Sequence, residues 1–430
     1  MRFSRPTRSV PAIALRSAQQ SAPYALVHQR PMMLNALILL AGLATAGLML
    51  WPPLAGSRLW RATVTPLASI IGSGFLVLGP ILEHSYGYFA PLVMAALCAV
   101  AYAFGNAIRY NITMRMDGSG NRSTGEERLE VLASWALSFA YVISVAYYLN
   151  LFGAFAVSLT PFDTALNGRV VTTAVFGVIL ATGWTRGFHA LERMEQVSVG
   201  LKLAIIAAMI AGLTHYFAGK ITDGGLVFDP PTLTGWPAVT LAFGLIVTVQ
   251  GFETARYLGA EYDARTRRKA MRIAQGLSTL IYMVYISLVA YLFSPGETRL
   301  TETSIIDMMR IVAPILPALL VAAALAAQFS AAVADTGGAG GLIPELTGGR
   351  ISTRKAYATL VGAGVALTWV SDIFSIIAYA SRAFAFYYAV QSAIAALAAL
   401  RHDKSPLRAD AYAALGLCGI AFAVLGTSVE

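Results

Sequence analysis

The sequence predicts an all-α integral membrane protein with about twelve transmembrane helices, and three observations carry that prediction. Of the 430 residues 57% are hydrophobic and only 12% charged, with mean hydropathy +0.65, outside the range of an ordinary soluble domain. Apolar runs long enough to cross a bilayer recur along nearly the whole chain. The basic residues fall on alternate loops, so the net charge of +9 reports topology rather than a nucleic-acid partner.

A spanning helix needs roughly 20 mostly apolar residues. With that ruler the spans fall at 33–51, 62–82, 88–110, 131–158, 170–185, 196–217, 236–258, 272–294, 313–335, 356–371, 373–399 and 410–428. The tenth is short and merges with the eleventh near Asp372. If the second span runs outward, the inner loops hold twenty Lys and Arg, among them Arg265, Arg267, Arg268, Lys269 and Arg272. The outer loops hold only Arg169, Lys220, Arg299 and Arg310.

The N-terminus departs from this scheme. Residues 1–31 carry Arg2, Arg5, Arg8, Arg16 and Arg30 and no acid, yet they lie outside if 33–51 crosses. A true start at Met32 or Met33, a first helix lying in the interface, or a removable targeting peptide each resolves the conflict. The expectation adopted is a basic tail at 1–31, disordered or upstream of the true start. Cys98 and Cys418 sit in apolar runs as small hydrophobes, and His84, His189, His215 and His402 lack ligand spacing, so neither metal nor cofactor is expected.

Two spans are interrupted. In "ASIIGSGFLVLGP" (68–80), Gly72, Ser73 and Gly74 stand together mid-span. The stretch matches neither G-x-x-x-x-G-K-[ST] nor G-x-G-x-x-G, which leaves close helix packing or a deliberate break. In "IVTVQGFETARYLGAEYD" (246–263), Gln250, Gly251 and Glu253 lie inside the seventh apolar run, where an ionisable group is costly without a partner or cavity. Glycine-broken spans at matching places in two halves point to an inverted-repeat secondary transporter with its substrate near the midplane. Five spans from 62 to 217 and five from 236 to 399 fit a five-plus-five repeat.

These residues also carry a resemblance. "IIGSGFLVLGP" resembles the first helix of amino acid, polyamine and organocation (APC) permeases, and "GFETARYLGAEYDARTRRKA" their sixth helix and following basic loop. "GGLIPELTGGR" (340–350) resembles the loop after their eighth helix, and "IIAYASRAFAFYYAVQSAIAALAALR" their tenth. The resemblance implies a leucine-transporter-type core at 62–408, preceded by an extra helix and linker at 32–61 and followed by a further helix at 409–430. It implies a divergent, bacterial-type member in the cytoplasmic membrane that binds a small organic molecule and no nucleic acid.

It also implies site residues. Amides around Ile71, Gly72, Ser73 and Gly74, at the positive end of a half-helix, are expected to receive a carboxylate. Carbonyls near Val247, Thr248 and Val249, with Gln250, Gly251 and Phe252 beside them, are expected to face an ammonium group. Family members often carry an aromatic residue where this chain has Val247 or Val249, a departure that points to a different substrate shape.

Lys202 is either a snorkelling lysine or the fifth-helix lysine that replaces a sodium ion between the first and eighth helices. Ser330 is available to sodium, but Lys202 competes for that space, so protons or exchange are preferred. Glu253 either caps the second half-helix or senses protons. Asp335 and Arg382 are buried-charge candidates, with Asp335 or Glu83 as partners for Arg382, which at that depth must face a cavity or an acid. Tyr141, with Tyr147 and Tyr148, lies on the pocket-lining third family helix.

The expected function is secondary active transport of an amino acid or related organic amine by proton symport or exchange. The alternative, motivated by Val249, Ala332 and the extra first helix, is a non-transporting member acting as a sensor or structural partner. An enzyme is disfavoured because H-E-x-x-H, G-x-S-x-G and nucleotide-phosphate motifs are absent from the sequence.

Overall fold

A computed structural model describes residues 21–72, 74–116, 123–185, 188–258, 262–294 and 300–429. The sixteen α-helices among them are α1 (Ser21–Leu50), α2 (Pro52–Ala55), α3 (Arg58–Ile70), α4 (Gly74–Tyr86), α5 (Ala90–Met116), α6 (Thr124–Val157), α7 (Ala165–Thr185) and α8 (Phe188–Thr222). They continue with α9 (Gly235–Gly244), α10 (Thr254–Tyr257), α11 (Ala264–Leu292), α12 (Ser304–Val312), α13 (Leu316–Leu346), α14 (Thr353–Val370), α15 (Ile373–Arg401) and α16 (Pro406–Leu425). No strand occurs among the described residues.

Nine helical segments among the described residues are long and apolar enough to cross a membrane, one of them running through α4 and α5. The expected spans 62–82 and 236–258 correspond to helices broken in two, α3 with α4 and α9 with α10, so neither forms one long apolar helix. Between α14 and α15 the break is sharp: Asp372 caps α15 by accepting from the Ser375 amide at 2.9 Å.

Small residues let these helices pack closely where lipid offers no hydrophobic drive for association. Gly153 on α6 meets Gly168 and Thr172 on α7, and Thr172 Oγ1 donates to the Leu149 carbonyl at 2.8 Å. A Cβ on Gly419 of α16 would lie 2.9 Å from Ala389 of α15, and one on Gly212 of α8 3.1 Å from Ile38 of α1. Helix α1 therefore leans on α8. Of the 1–31 tail, residues 1–20 lie outside the described residues, and α1 begins at Ser21.

On the face carrying the basic loops, α6 opens with a capping box: the Glu126 amide donates to Ser123 Oγ, and the Ser123 amide donates to Glu126 Oε2 at 2.7 Å. Arg401 at the end of α15 pairs with Glu126 at 2.7 Å, and Arg256 of α10 pairs with Glu130. These ion pairs tie the second broken span and α15 to the base of α6.

Candidate functional site

The two interrupted spans cross at the centre of the molecule. The first breaks after Ile70: Ile71 leaves helical geometry (ψ 48), Gly72 follows, and α4 starts at Gly74. Ser73, an expected anion-receiving residue, lies outside the described residues. The second span ends its first half at Gly244, passes through a 3-10 turn at Ile246–Val249 and an extended Gln250, and resumes helix at Thr254. Backbone meets backbone at the crossing. A Cβ on Gly74 would lie 2.7 Å from Thr248 Cα; one on Gly251, where φ is +114, would lie 2.6 Å from the Ile70 amide nitrogen. Only glycine meets both demands at Gly251.

A helix that stops in apolar surroundings leaves its last carbonyls without partners, and each must be satisfied from elsewhere. At the end of α3 the Leu67 carbonyl takes the Ile71 amide at 3.0 Å, and the Ala68 carbonyl takes Lys202 Nζ at 2.5 Å. The Ile70 carbonyl takes the Tyr282 hydroxyl at 2.9 Å. That hydroxyl also lies 2.7 Å from the Thr248 carbonyl, so one side chain of α11 touches both interruptions. In the second span Ser381 of α15 donates to the Gly244 carbonyl at 2.5 Å and accepts from the Val247 amide at 3.1 Å.

Lys202 of α8 is fully buried. It lines a cavity with Ile71, Gly72, Phe75, Met209 and Ala327, between the first break, α8 and α13. Its ammonium lies at the negative end of α3, where a cation is favoured. A second cavity, between α5, α11 and both breaks, is lined by Ile70, Cys98, Val249, Ser278 and Tyr282.

Polar side chains gather on the second interruption. Gln250 donates to the Tyr148 hydroxyl at 2.8 Å. Glu253 stands at the cap position of α10, yet its Oε2 turns back to the Gly251 amide at 3.0 Å and across to the Tyr388 hydroxyl at 2.9 Å. The Oε1 atoms of Gln250 and Glu253 are buried and accept no hydrogen bond from the described residues. Phe252 stacks on Tyr388 with ring centroids 5.1 Å apart. Behind this cluster Ser144 of α6 donates to the buried Asp335 of α13. Tyr141 packs between Gly338 of α13 and Phe384 of α15.

Arg382 departs from expectation. It was expected to be buried against a cavity or an acid, but it is exposed, and its Nε and Nη2 donate to the Gly426 carbonyl at 3.0 and 2.7 Å. The physical reason is angular: Ser381 faces the crossing, and the next residue along a helix points about 100° away from it. Arg382 thus caps the end of α16, and neither Glu83 nor Asp335 is its partner.

Residues 52–426 match a family described as APC superfamily transporter. The chain belongs to the APC superfamily of transporters. An Aquifex aeolicus (strain VF5) protein, described as uncharacterized, is 41% identical over 391 residues, 88% of this chain and 93% of its own. Among solved structures, Mhp1, a nucleobase-cation-symport-1 family transporter in a closed conformation with bromovinylhydantoin bound, is similar with TM-score 0.54 at 11% identity. That match covers 85% of this chain and 91% of Mhp1. At that identity the likeness shows the fold: the transporter has the leucine-transporter type of architecture. It is a multi-pass protein of the cytoplasmic membrane.

Sequence reasoning missed Tyr282, Tyr388 and Ser381 in this transporter. A signal for the first was present: Gln275, Ser278, Tyr282 and Tyr285 recur at helical spacing along one face of α11, a polar stripe inside an apolar span.

Proposed function

We propose that the transporter moves a small zwitterion, an amino acid or related organic amine, by proton symport or exchange. Two halves, at about 62–217 and 236–399 within a core at 62–408, would form the repeats, with 32–61 and 409–430 as additions. The observation that carries this reading is the contact of two broken helices at the centre, with α4 beginning where α3 ends. The first-turn amides of α4 have no intrahelical acceptor and sit at a positive helix end, which suits a carboxylate. The buried Oε1 atoms of Gln250 and Glu253 suit an ammonium group. Lys202, held on the Ala68 carbonyl beside the break, is the group assigned to proton exchange.

Uptake of a labelled amino-acid and amine panel into proteoliposomes, with and without an imposed pH gradient, tests the proposal. Gradient-driven accumulation of at least one zwitterion is expected. Uptake unaffected by the gradient and by internal substrate overturns the coupling, and no transport of any compound favours a sensor or structural member. A second reading is a neutral cyclic amide. Mhp1 was solved with bromovinylhydantoin bound, and the Gln250 amide lies within the second break, so hydantoins and nucleobases belong in the panel.

A further inference from the structure

One buried amide beside the crossing holds neither break. Gln328 of α13 is fully buried, and neither its Oε1 nor its Nε2 has a hydrogen-bond partner among the described residues. Buried amides are ordinarily paired, because desolvating one without a partner is costly. Every other buried Asn or Gln among the described residues makes at least one side-chain bond. Gln275 donates to the Ala101 carbonyl at 2.9 Å, Asn111 to Gln391 at 2.9 Å, Asn150 to Thr368 at 2.8 Å and Gln250 to Tyr148 at 2.8 Å. Gln328 is the exception, and its place in the fold gives the exception a use.

Helices α6 and α13 run antiparallel, with Ser144 on Asp335 and Tyr141 on Gly338. The same register sets Gln328 level with Leu151, one turn beyond Tyr147 and Tyr148. Around α13, Gln328 lies about 20° from Asp335, which meets α6, and about 60° from Ala331. A Cβ on Gly72 would lie 3.8 Å from the Ala331 Cβ, so Ala331 faces the first break. Gln328 therefore occupies the face of α13 between α6 and that break. Gly72 meets Ala331, while Leu76 shares a cavity wall with Ala323 and Ala327, so α4 and α13 pass each other in opposite senses. Gln328 thus stands beside the first turn of α4, whose amides have no intrahelical acceptor.

We propose that Gln328 selects the substrate by pairing with a carboxamide unit of the transported molecule, either the side-chain amide of a zwitterion or the ring amide of a cyclic compound. A primary amide presents an N–H and a C=O side by side, and a carboxamide with the same two groups on one edge answers both with two hydrogen bonds. An alkyl or thioether chain answers neither, and a carboxylate answers only the donor. A buried polar group built to bind such an edge rejects the isostere that lacks it, since binding then leaves the group unpaired in a closed site. This role presupposes transport of a small molecule through the crossing.

The test compares initial uptake into proteoliposomes of the full-length protein for matched pairs: glutamine with methionine, asparagine with leucine, and hydantoin with its N,N′-dimethyl derivative. In the wild type the carboxamide member of at least one pair is expected to enter on the order of tenfold faster than its partner, and in Gln328→Met that ratio is expected to fall to about one. The pair that shows the preference tells a side-chain amide from a ring amide. Without substrate, Gln328→Met is expected to unfold at or above the wild-type temperature, because the amide it removes has no partner in the fold. Gln328→Leu is read beside it, so that a misfit of one side chain is not mistaken for a lost bond. An unchanged uptake ratio in the variants overturns the proposal. So do both variants unfolding well below the wild type, which would show that the fold itself uses the amide. Uptake of amino acids or amines without preference for carboxamides overturns the role of Gln328 and leaves transport standing, whereas uptake of no compound overturns both.

Discussion

The two interruptions solve the same problem by different means. The first is short, leaving α3 at Ile71 with α4 under way from Gly74, and its sequence has no ionisable side chain; its stranded carbonyls are served from outside by Lys202 of α8 and Tyr282 of α11. The second runs from Leu245 to Glu253 and brings its own chemistry: a 3-10 turn, Gln250 and Glu253, with Ser381 and Tyr388 of α15 completing it. The first break is thus a backbone device held by borrowed side chains, whereas the second is a side-chain device on a bent backbone. Substitutions at the two should therefore differ in kind: on the first break, stability and, through Lys202, coupling; on the second, selectivity and the tuning of pH behaviour by Glu253.

The largest effect is expected where the two meet. Gly251→Ala sets a Cβ against the Ile70 amide and holds a side chain at φ +114, so it should destabilise the fold by about 3 kcal/mol and abolish uptake. Gly74→Ala meets Thr248 without the dihedral strain and should cost about 2 kcal/mol. Thermal unfolding of the purified variants measures both. A Gly251→Ala protein as stable as wild type would show that the spans do not touch there.

Lys202→Met comes next. It leaves the Ala68 carbonyl without its ammonium donor, about 1–3 kcal/mol, and should remove the pH dependence of uptake while membrane insertion persists. An unchanged pH profile would take Lys202 out of coupling. Two tyrosines then separate the breaks. Tyr282→Phe strips the single hydroxyl proton that the Ile70 and Thr248 carbonyls share, and should cost about 2 kcal/mol with the pH profile in place. Tyr388→Phe strips one from Glu253, should cost about 1 kcal/mol, and should move the pH profile of uptake. The opposite pattern would remove Glu253 from pH sensing and leave Lys202 alone in that role.

Much of this was legible in the sequence because its causes are local. Span length, charged loops and the glycine-bearing breaks depend on neighbours in the chain, and α3 with α4 and α9 with α10 split at the segments that composition marks. What was not legible depends on phase and on distant partners. The glycines were expected to admit a ligand, but Gly74 and Gly251 first of all admit each other's span, a fact that requires knowing where Thr248 and Ile70 lie. Tyr282 sat in a readable polar stripe, yet its two acceptors are carbonyls, invisible in any side-chain pattern.

The smallest effect should come from the residue that sequence depth alone made suspicious. Arg382 lies as far along α15 as Ser381, but depth does not fix angle, and α16 returns its C-terminal Gly426 carbonyl beside the exposed guanidinium. Arg382→Ala should cost about 0.5 kcal/mol through the lost cap. It should also lower uptake of neutral and acidic substrates equally and slightly. A selective loss for acidic substrates would mean that Arg382 leaves Gly426 during the transport cycle and reaches the second break, making α15 a moving element. Equal losses would confine substrate charge recognition to the amides of α4 and to Gln250 and Glu253, and so sharpen the contrast between the two interruptions.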